Sequence, residues 1–138
     1  MKKVMAGGTF SILHPGHVQF LRKAKSLGDC LVVVIAHDST VLRNKGVLLA
    51  PAGDRKRLVE SIRFVDKVVI GRKDDFLRVV ESERPDVIAL GYDQHRDMEW
   101  LLKRLGKNVS KPRIVTIKRF GNYSTKQIME KYKREAGR

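Results

Sequence analysis

Two of the chain's four histidines stand three positions apart in the run Gly7-Gly8-Thr9-Phe10-Ser11-Ile12-Leu13-His14-Pro15-Gly16-His17. The run follows a short apolar segment and contains a proline of the kind that opens helices. Imidazoles at i and i+3 across a helix start reach one side of it together, and the first backbone N–H groups of that helix point the same way. Such an arrangement binds an anion, and on a phosphate it would stabilise charge developing at a transferred phosphorus. Gly16, between the histidines, leaves room for a nucleotide against the backbone, and Pro15 sets the first helical turn.

Other chemistries fit less well. No Gly-Lys-Ser/Thr follows the glycines, so the turn is not a Walker A loop, and the third glycine of a dinucleotide fingerprint is missing. Paired histidines bind zinc, but there is no His-Glu-x-x-His pattern, the chain has one cysteine, and His37 and His95 are isolated. His37, at the end of an apolar run, reads as a polar pocket-wall residue. The remaining alternative is a proline-started helix with two incidental surface histidines.

The elements that must hold this turn follow from periodicity. Residues 2–6 read as a short buried strand ended by the glycines, and residues 15–27 as a helix with Phe20, Leu21, Ala24 and Leu27 on one stripe and Gly28 as its stop. Residues 30–36 are apolar on both alternating faces, as a central strand of a helix-covered parallel sheet requires. Residues 37–50 lack periodicity and read as a loop with at most one helical turn. Asp54 is placed to cap a helix in which Leu58, Val59 and Ile62 face inward and Arg55, Lys56, Arg57 and Arg63 face out.

Strands follow at 65–70, 87–90 and 112–117, alternating with helices at 74–83, 97–105 (Trp100, Leu101 and Leu105 available to the core) and from the Ser124 cap to about 135. Alternating strands and helices predict one α/β domain spanning residues 1–138, a doubly wound five-stranded parallel sheet of order 3-2-1-4-5 with helices on both faces. Ligands of such sheets sit beyond the strand ends where the winding reverses. That point lies between strands one and four, and it collects the histidine turn, the loop Gly91-Tyr92-Asp93-Gln94 and residues 119–125.

Further candidates come from this placement. Asp93, after strand four, is suited to ribose, base or a magnesium-bound water. Arg119 and the helix start Ser124-Thr125-Lys126 offer hydroxyls, cations and N–H groups to an anion, and Ser124 also serves as a plain cap. Lys45 and Arg55 are expected at a basic rim for an anionic co-substrate or leaving pyrophosphate, whereas Lys56 and Arg57 read as a solvated helix face.

Composition sets the wider bounds. At 138 residues with 29 Lys+Arg against 15 Asp+Glu, the formal net charge is +14, which favours anionic partners (nucleic acid, an anionic membrane surface or phosphorylated small molecules) over a merely solvated lysine surface. Nucleic acid is the rival to a phosphorylated small molecule. Against it, no RNP-like aromatic motif or KH-type loop is present and aromatics make up 7% of residues. The single Cys30 fits a reducing cytoplasm, and no apolar run approaches membrane-spanning length.

Gly8-Thr9-Phe10, His14-Pro15-Gly16-His17 and Arg119…Ser124-Thr125-Lys126-Gln127-Ile128 together resemble the nucleotidyltransferases of the HxGH superfamily, near the glycerol-3-phosphate cytidylyltransferase branch. Phe64-Val65-Asp66-Lys67-Val68 and Gly91-Tyr92-Asp93-Gln94 also resemble that branch, so the likeness spans nearly the whole chain. The short form is most similar to archaeal-type FAD synthases, which transfer AMP from ATP to FMN.

The likeness implies a Rossmann-like fold and assigns nucleotide contacts to Thr9, Phe10, Pro15 and Gly16 and phosphate contacts to His14 and His17. It gives the nucleoside side to Asp93 and the triphosphate to Arg119, Ser124 and Thr125, and it matches Lys45 and Arg55 to basic positions less closely. It implies ATP or CTP with FMN, glycerol 3-phosphate or a sugar phosphate, a divalent metal ion such as Mg2+, and a cytoplasmic enzyme for which a homodimer is open. One position departs from it: Ser11 stands where the family commonly has Asp.

Overall fold

A computed structural model of the protein describes residues 1–72, 76–91, 98–121 and 123–137. Among these residues the chain forms an all-parallel sheet of five strands, β1 (Lys3–Gly8), β2 (Cys30–Ile35), β3 (Lys67–Ile70), β4 (Val87–Gly91) and β5 (Arg113–Ile117). Their order is β3-β2-β1-β4-β5, as the alternation of elements predicts. The helices are α1 (Pro15–Lys25), α2 (Asp38–Lys45), α3 (Ala52–Glu60), α4 (Phe76–Glu83), α5 (Met98–Leu102) and α6 (Thr125–Ala136).

The three inner strands bury both faces. Val4 and Ala6 of β1, Leu31, Val33 and Ile35 of β2, and Val87 and Ala89 of β4 point to one core with Leu21 and Ala24 of α1 and Val59 of α3. Their alternates Met5, Val32, Val34, Ile88 and Leu90 point to the other, under Val79 and Val80 of α4 and Leu102 of α5. Period-2 side-chain alternation with helices on each side accounts for the continuous apolar runs. Crossovers from β1 and β2 cover one face and those from β3 and β4 the other, so the winding reverses between β1 and β4.

Several local expectations are corrected. β1 runs through Gly7 and Gly8, which pair with Val34 and Ile35, so the glycines do not end it. α1 ends at Lys25 with Ser26 as a right-handed C-cap. Gly28 serves a different purpose: a Cβ there would lie 2.7 Å from the Lys2 carbonyl oxygen and 2.8 Å from Val4, so only glycine lets the returning chain pass β1 this closely. Part of the expected loop at 37–50 is α2, eight residues long, capped by His37, whose Nδ1 accepts from the Ser39 N–H, and closed by Gly46 at φ 77°.

The phase of α3 also differs. Its N-cap is Pro51, while Asp54 pairs with Arg57 in the first turn. The inward stripe is Ala52, Arg55 and Val59, spaced i, i+3, i+7, which puts Leu58 at the surface. Trp100 is likewise exposed on α5, its ring under the Arg104 guanidinium, and Leu102 fills the core instead.

Candidate active site

At the switch point the end of β1 leads into a turn held by two devices. Phe10 adopts a left-handed backbone (φ 54°) and is 3% exposed, with its ring folded back beneath the end of the strand. Side chains other than glycine strain in that region, and burial of the aromatic ring offsets the cost. Gly8 is required for it, since a Cβ there would sit 2.8 Å from the ring. The second device is Arg55, fully buried, whose Nη1 donates to the Thr9 carbonyl at 2.9 Å, Nε to the Ala50 carbonyl at 2.9 Å and Nη2 to Asp38 Oδ1 at 2.7 Å. Asp38 Oδ1 also accepts from the Ala52 N–H. The expected rim position of Arg55 is therefore corrected: its guanidinium is spent on the protein, because the phase of α3 turns it inward.

Beyond the turn, His14 is the N-cap of α1 and Pro15, exposed, takes the first helical turn. No side chain caps this helix, which leaves its N-terminal dipole facing the cleft. The two imidazoles stack at 3.7 Å between centroids and 25° between planes. Phe10 lies 5.1 Å from His17 on one side, and Tyr123 lies 6.2 Å from His14 on the other. Gly16 makes this row of rings feasible. A Cβ there would lie 2.9 Å from the His14 ring and 3.1 Å from Tyr123 Cβ, so the packing of these side chains itself requires glycine.

Both Nδ1 atoms are buried with no hydrogen-bond partner among the described residues. Burial holds the His14 pKa below its usual value. His17 is pushed down to about 4, mainly by burial and then by the charge of His14, with a backbone hydrogen bond at Ile12 working the other way. Both rings are neutral near pH 7 and can each donate one N–H.

The cleft over these rings has a volume of about 680 Å3. From the opposite wall come Lys118, Arg119, Phe120, Tyr123, Ser124, Thr125 and Lys126, on the connection from β5 into α6, and from a third side Lys45, Val47 and Leu49. Ser124 caps α6, its Oγ accepting from the Gln127 N–H at 3.1 Å, so α6 also presents its N-terminus here. No carboxylate is among the described residues of this wall, and the lysines and arginine give it a positive field suited to a polyphosphate.

The structure thus brings together Thr9, Phe10, Ser11, His14, Gly16, His17, Lys45, Arg119, Ser124 and Thr125. Asp93, with the rest of its loop after Gly91, lies outside the described residues. Val47 and Leu49 were not expected at the site, and Phe120 and Tyr123 were placed there only as part of residues 119–125, with no role of their own. Their one signal in the sequence is that large apolar residues occur where no helical or strand period calls for them, and all four are exposed.

The cytidylyltransferase-like family model matches residues 5–135, and the chain belongs to that family. A protein of Ferroglobus placidus named FAD synthase is 48% identical over 118 residues, covering 86% of this chain and 77% of its own. Another of that name from Aciduliprofundum boonei is 48% identical over 122 residues, covering 88% and 82%. A solved structure from Thermoplasma volcanium, described as a lipopolysaccharide core biosynthesis protein, superposes with a TM-score of 0.80 at 39% identity, covering 88% of this chain and 99% of that one.

Proposed function

We propose that this protein is an FMN adenylyltransferase, a single nucleotidyltransferase domain that makes FAD and pyrophosphate from ATP and FMN. The observation that carries the reading is its likeness to FAD synthases at 48% identity over most of the chain. The stacked His14–His17 pair in a cationic cleft supports it.

In this mechanism an FMN phosphate oxygen attacks the α-phosphorus of ATP in line, a P–O bond forms, and the bond to the β-phosphate oxygen breaks to release pyrophosphate. His14 and His17, neutral before binding, donate N–H hydrogen bonds to the phosphate oxygens where charge accumulates. The N-termini of α1 and α6, with Ser124 and Thr125, hold the triphosphate, and Lys45 and Arg119 neutralise it. No covalent enzyme intermediate is required.

Triphosphate chemistry of this kind uses a divalent cation such as Mg2+. Among the described residues no group of three or more His, Cys, Asp or Glu is assembled for a metal, and the described cleft wall has no carboxylate. These residues do not fit a protein-held magnesium site, and Ser11 adds a hydroxyl where a carboxylate would have served. No helix among the described residues is long and apolar enough to cross a membrane.

The test is a pyrophosphate-release assay pairing ATP or CTP with FMN, glycerol 3-phosphate or a heptose phosphate. FAD formation from ATP and FMN is the expected result. Release only with CTP, or only with the glycerol or sugar phosphate, would overturn the reading.

A further inference from the structure

A second cavity of about 310 Å3 opens at the ends of β1, β2 and β4, on the opposite side of the β1 tip from the histidines. Its wall is apolar: Phe76, Leu90 and Met98 line it, while Thr40, Asn44 and Arg72 place polar groups around it. Leu90 is 3% exposed and belongs to the core beneath α4, so part of this wall is rigid before any ligand arrives. The cavity and the cleft share Gly7, Gly8 and Thr9. Along that strip two glycines leave no side chain between them, and the Phe76 ring lies 3.8 Å from where a Cβ of Gly7 would be.

We infer that this cavity takes the heteroaromatic ring of the acceptor, with the acceptor's phosphate crossing the Gly7–Thr9 strip to reach the nucleotide over His14 and His17. The inference rests on the FMN reading. In-line transfer needs the attacking phosphate to approach from the side away from the leaving pyrophosphate. The cations and the α6 N-terminus occupy one wall of the cleft, and the cavity adjoins the turn from the other direction. A glycerol phosphate has no apolar surface to place against Phe76, Leu90 and Met98. A flat ring system with an apolar face and a hydrogen-bonding edge matches both the wall and the polar groups around it, and the volume is that of a small-ligand site. Because the ring rather than the phosphate is recognised here, riboflavin shares the site.

The experiment is a flavin-fluorescence titration of the whole protein with FMN and with riboflavin, joined to KM measurements for FMN and ATP. The variants are Thr40→Trp and Asn44→Trp, one turn apart on α2, each of which fills the mouth; a Leu58→Ala variant on the exposed face of α3, outside both cavity and cleft, is the comparison. The tryptophan variants are expected to weaken FMN and riboflavin alike by tenfold or more and to leave the ATP KM within about twofold, while Leu58→Ala leaves flavin affinity unchanged. Asn44, exposed on α2, keeps the test open if Thr40→Trp does not fold. Unchanged flavin affinity in the folded tryptophan variants, with the parent protein still making FAD, would overturn the cavity assignment and leave the FMN reading standing. A parent protein that makes no FAD and uses another acceptor would overturn both.

Discussion

Arg55 reaches across 46 positions of sequence to donate its Nη1 hydrogen to the carbonyl of Thr9 at 2.9 Å. The bond joins α3 to the last residues before the histidine turn, and the same side chain holds Ala50 and Asp38. Arg55→Leu leaves the Thr9 and Ala50 carbonyls without this donor, at roughly 1–3 kcal/mol for each one that stays buried. Asp38 is 37% exposed and adds little. Denaturant unfolding should show the loss, and Arg55→Lys, unable to reach three acceptors with a planar fork, should restore only part of it.

His17→Ala should lower kcat by about a hundredfold to a thousandfold, the range for removing one donor to a developing oxyanion. Its far-ultraviolet circular dichroism should match the parent, since the ring is only partly buried in a cleft wall. Full turnover in this variant would remove His17 from the mechanism.

Stability should depend on pH through the same ring. Folded His17 titrates at about 4, against 6.5 for an unperturbed histidine, so between those values the unfolded chain binds a proton that the folded chain does not. The stabilisation is complete above about pH 6.5 and is lost as pH falls toward 4. His14, shifted the same way, adds to the slope. Calorimetry should show Tm falling through this window, with a shallower fall for His17→Gln. The Asp66 carboxyl, held low chiefly by Lys25, acts only below the ordinary carboxylate range and does not blur the result.

Nucleotide binding should draw in protons. A triphosphate beside the two imidazoles favours their charged forms, so their pKa values rise on binding and protons are taken up below neutral pH. Isothermal titration in buffers of different ionisation enthalpy should give, at about pH 6, a proton count for ATP that is more positive in the parent than in the variant carrying both His14→Gln and His17→Gln, since the terminal phosphate's own titration is common to both.

Leu21→Ala on α1 tests the support beneath the site. The residue is fully buried in the core against β1, and truncation should cost about 2–5 kcal/mol in denaturant unfolding.

Sheet order was legible because the runs at Cys30–Ile35 and Val87–Gly91 are apolar on both faces, a pattern that parallel strands between two helical layers share. The histidine turn was legible from spacing alone. Arg55 was misplaced because a cation on a helix ordinarily faces water, and nothing local announces that Asp38 and two carbonyls, 17, 46 and 5 positions away, will satisfy it. The packing role of Gly16 is hidden for a similar reason. That His14 and Tyr123 crowd it depends on a contact between the first and last thirds of the chain. Helix α2 was missed since Asp38, Ser39 and Thr40 read as turn formers, while the cap that starts it is a histidine side chain.

The strip Gly7–Thr9 is the shared wall of cleft and cavity, so a substrate on each side of it would leave the two halves of the reaction separately inheritable. With the acceptor in the cavity, changes at Thr40 and Asn44 and on α4 would alter what is adenylylated without touching the stacked rings, and changes around β5 and α6 would alter the nucleotide side without touching the cavity wall. A lineage built on this scaffold can exchange acceptors by drift on one flank of a single strand, and the same flank is the place to begin redesigning it.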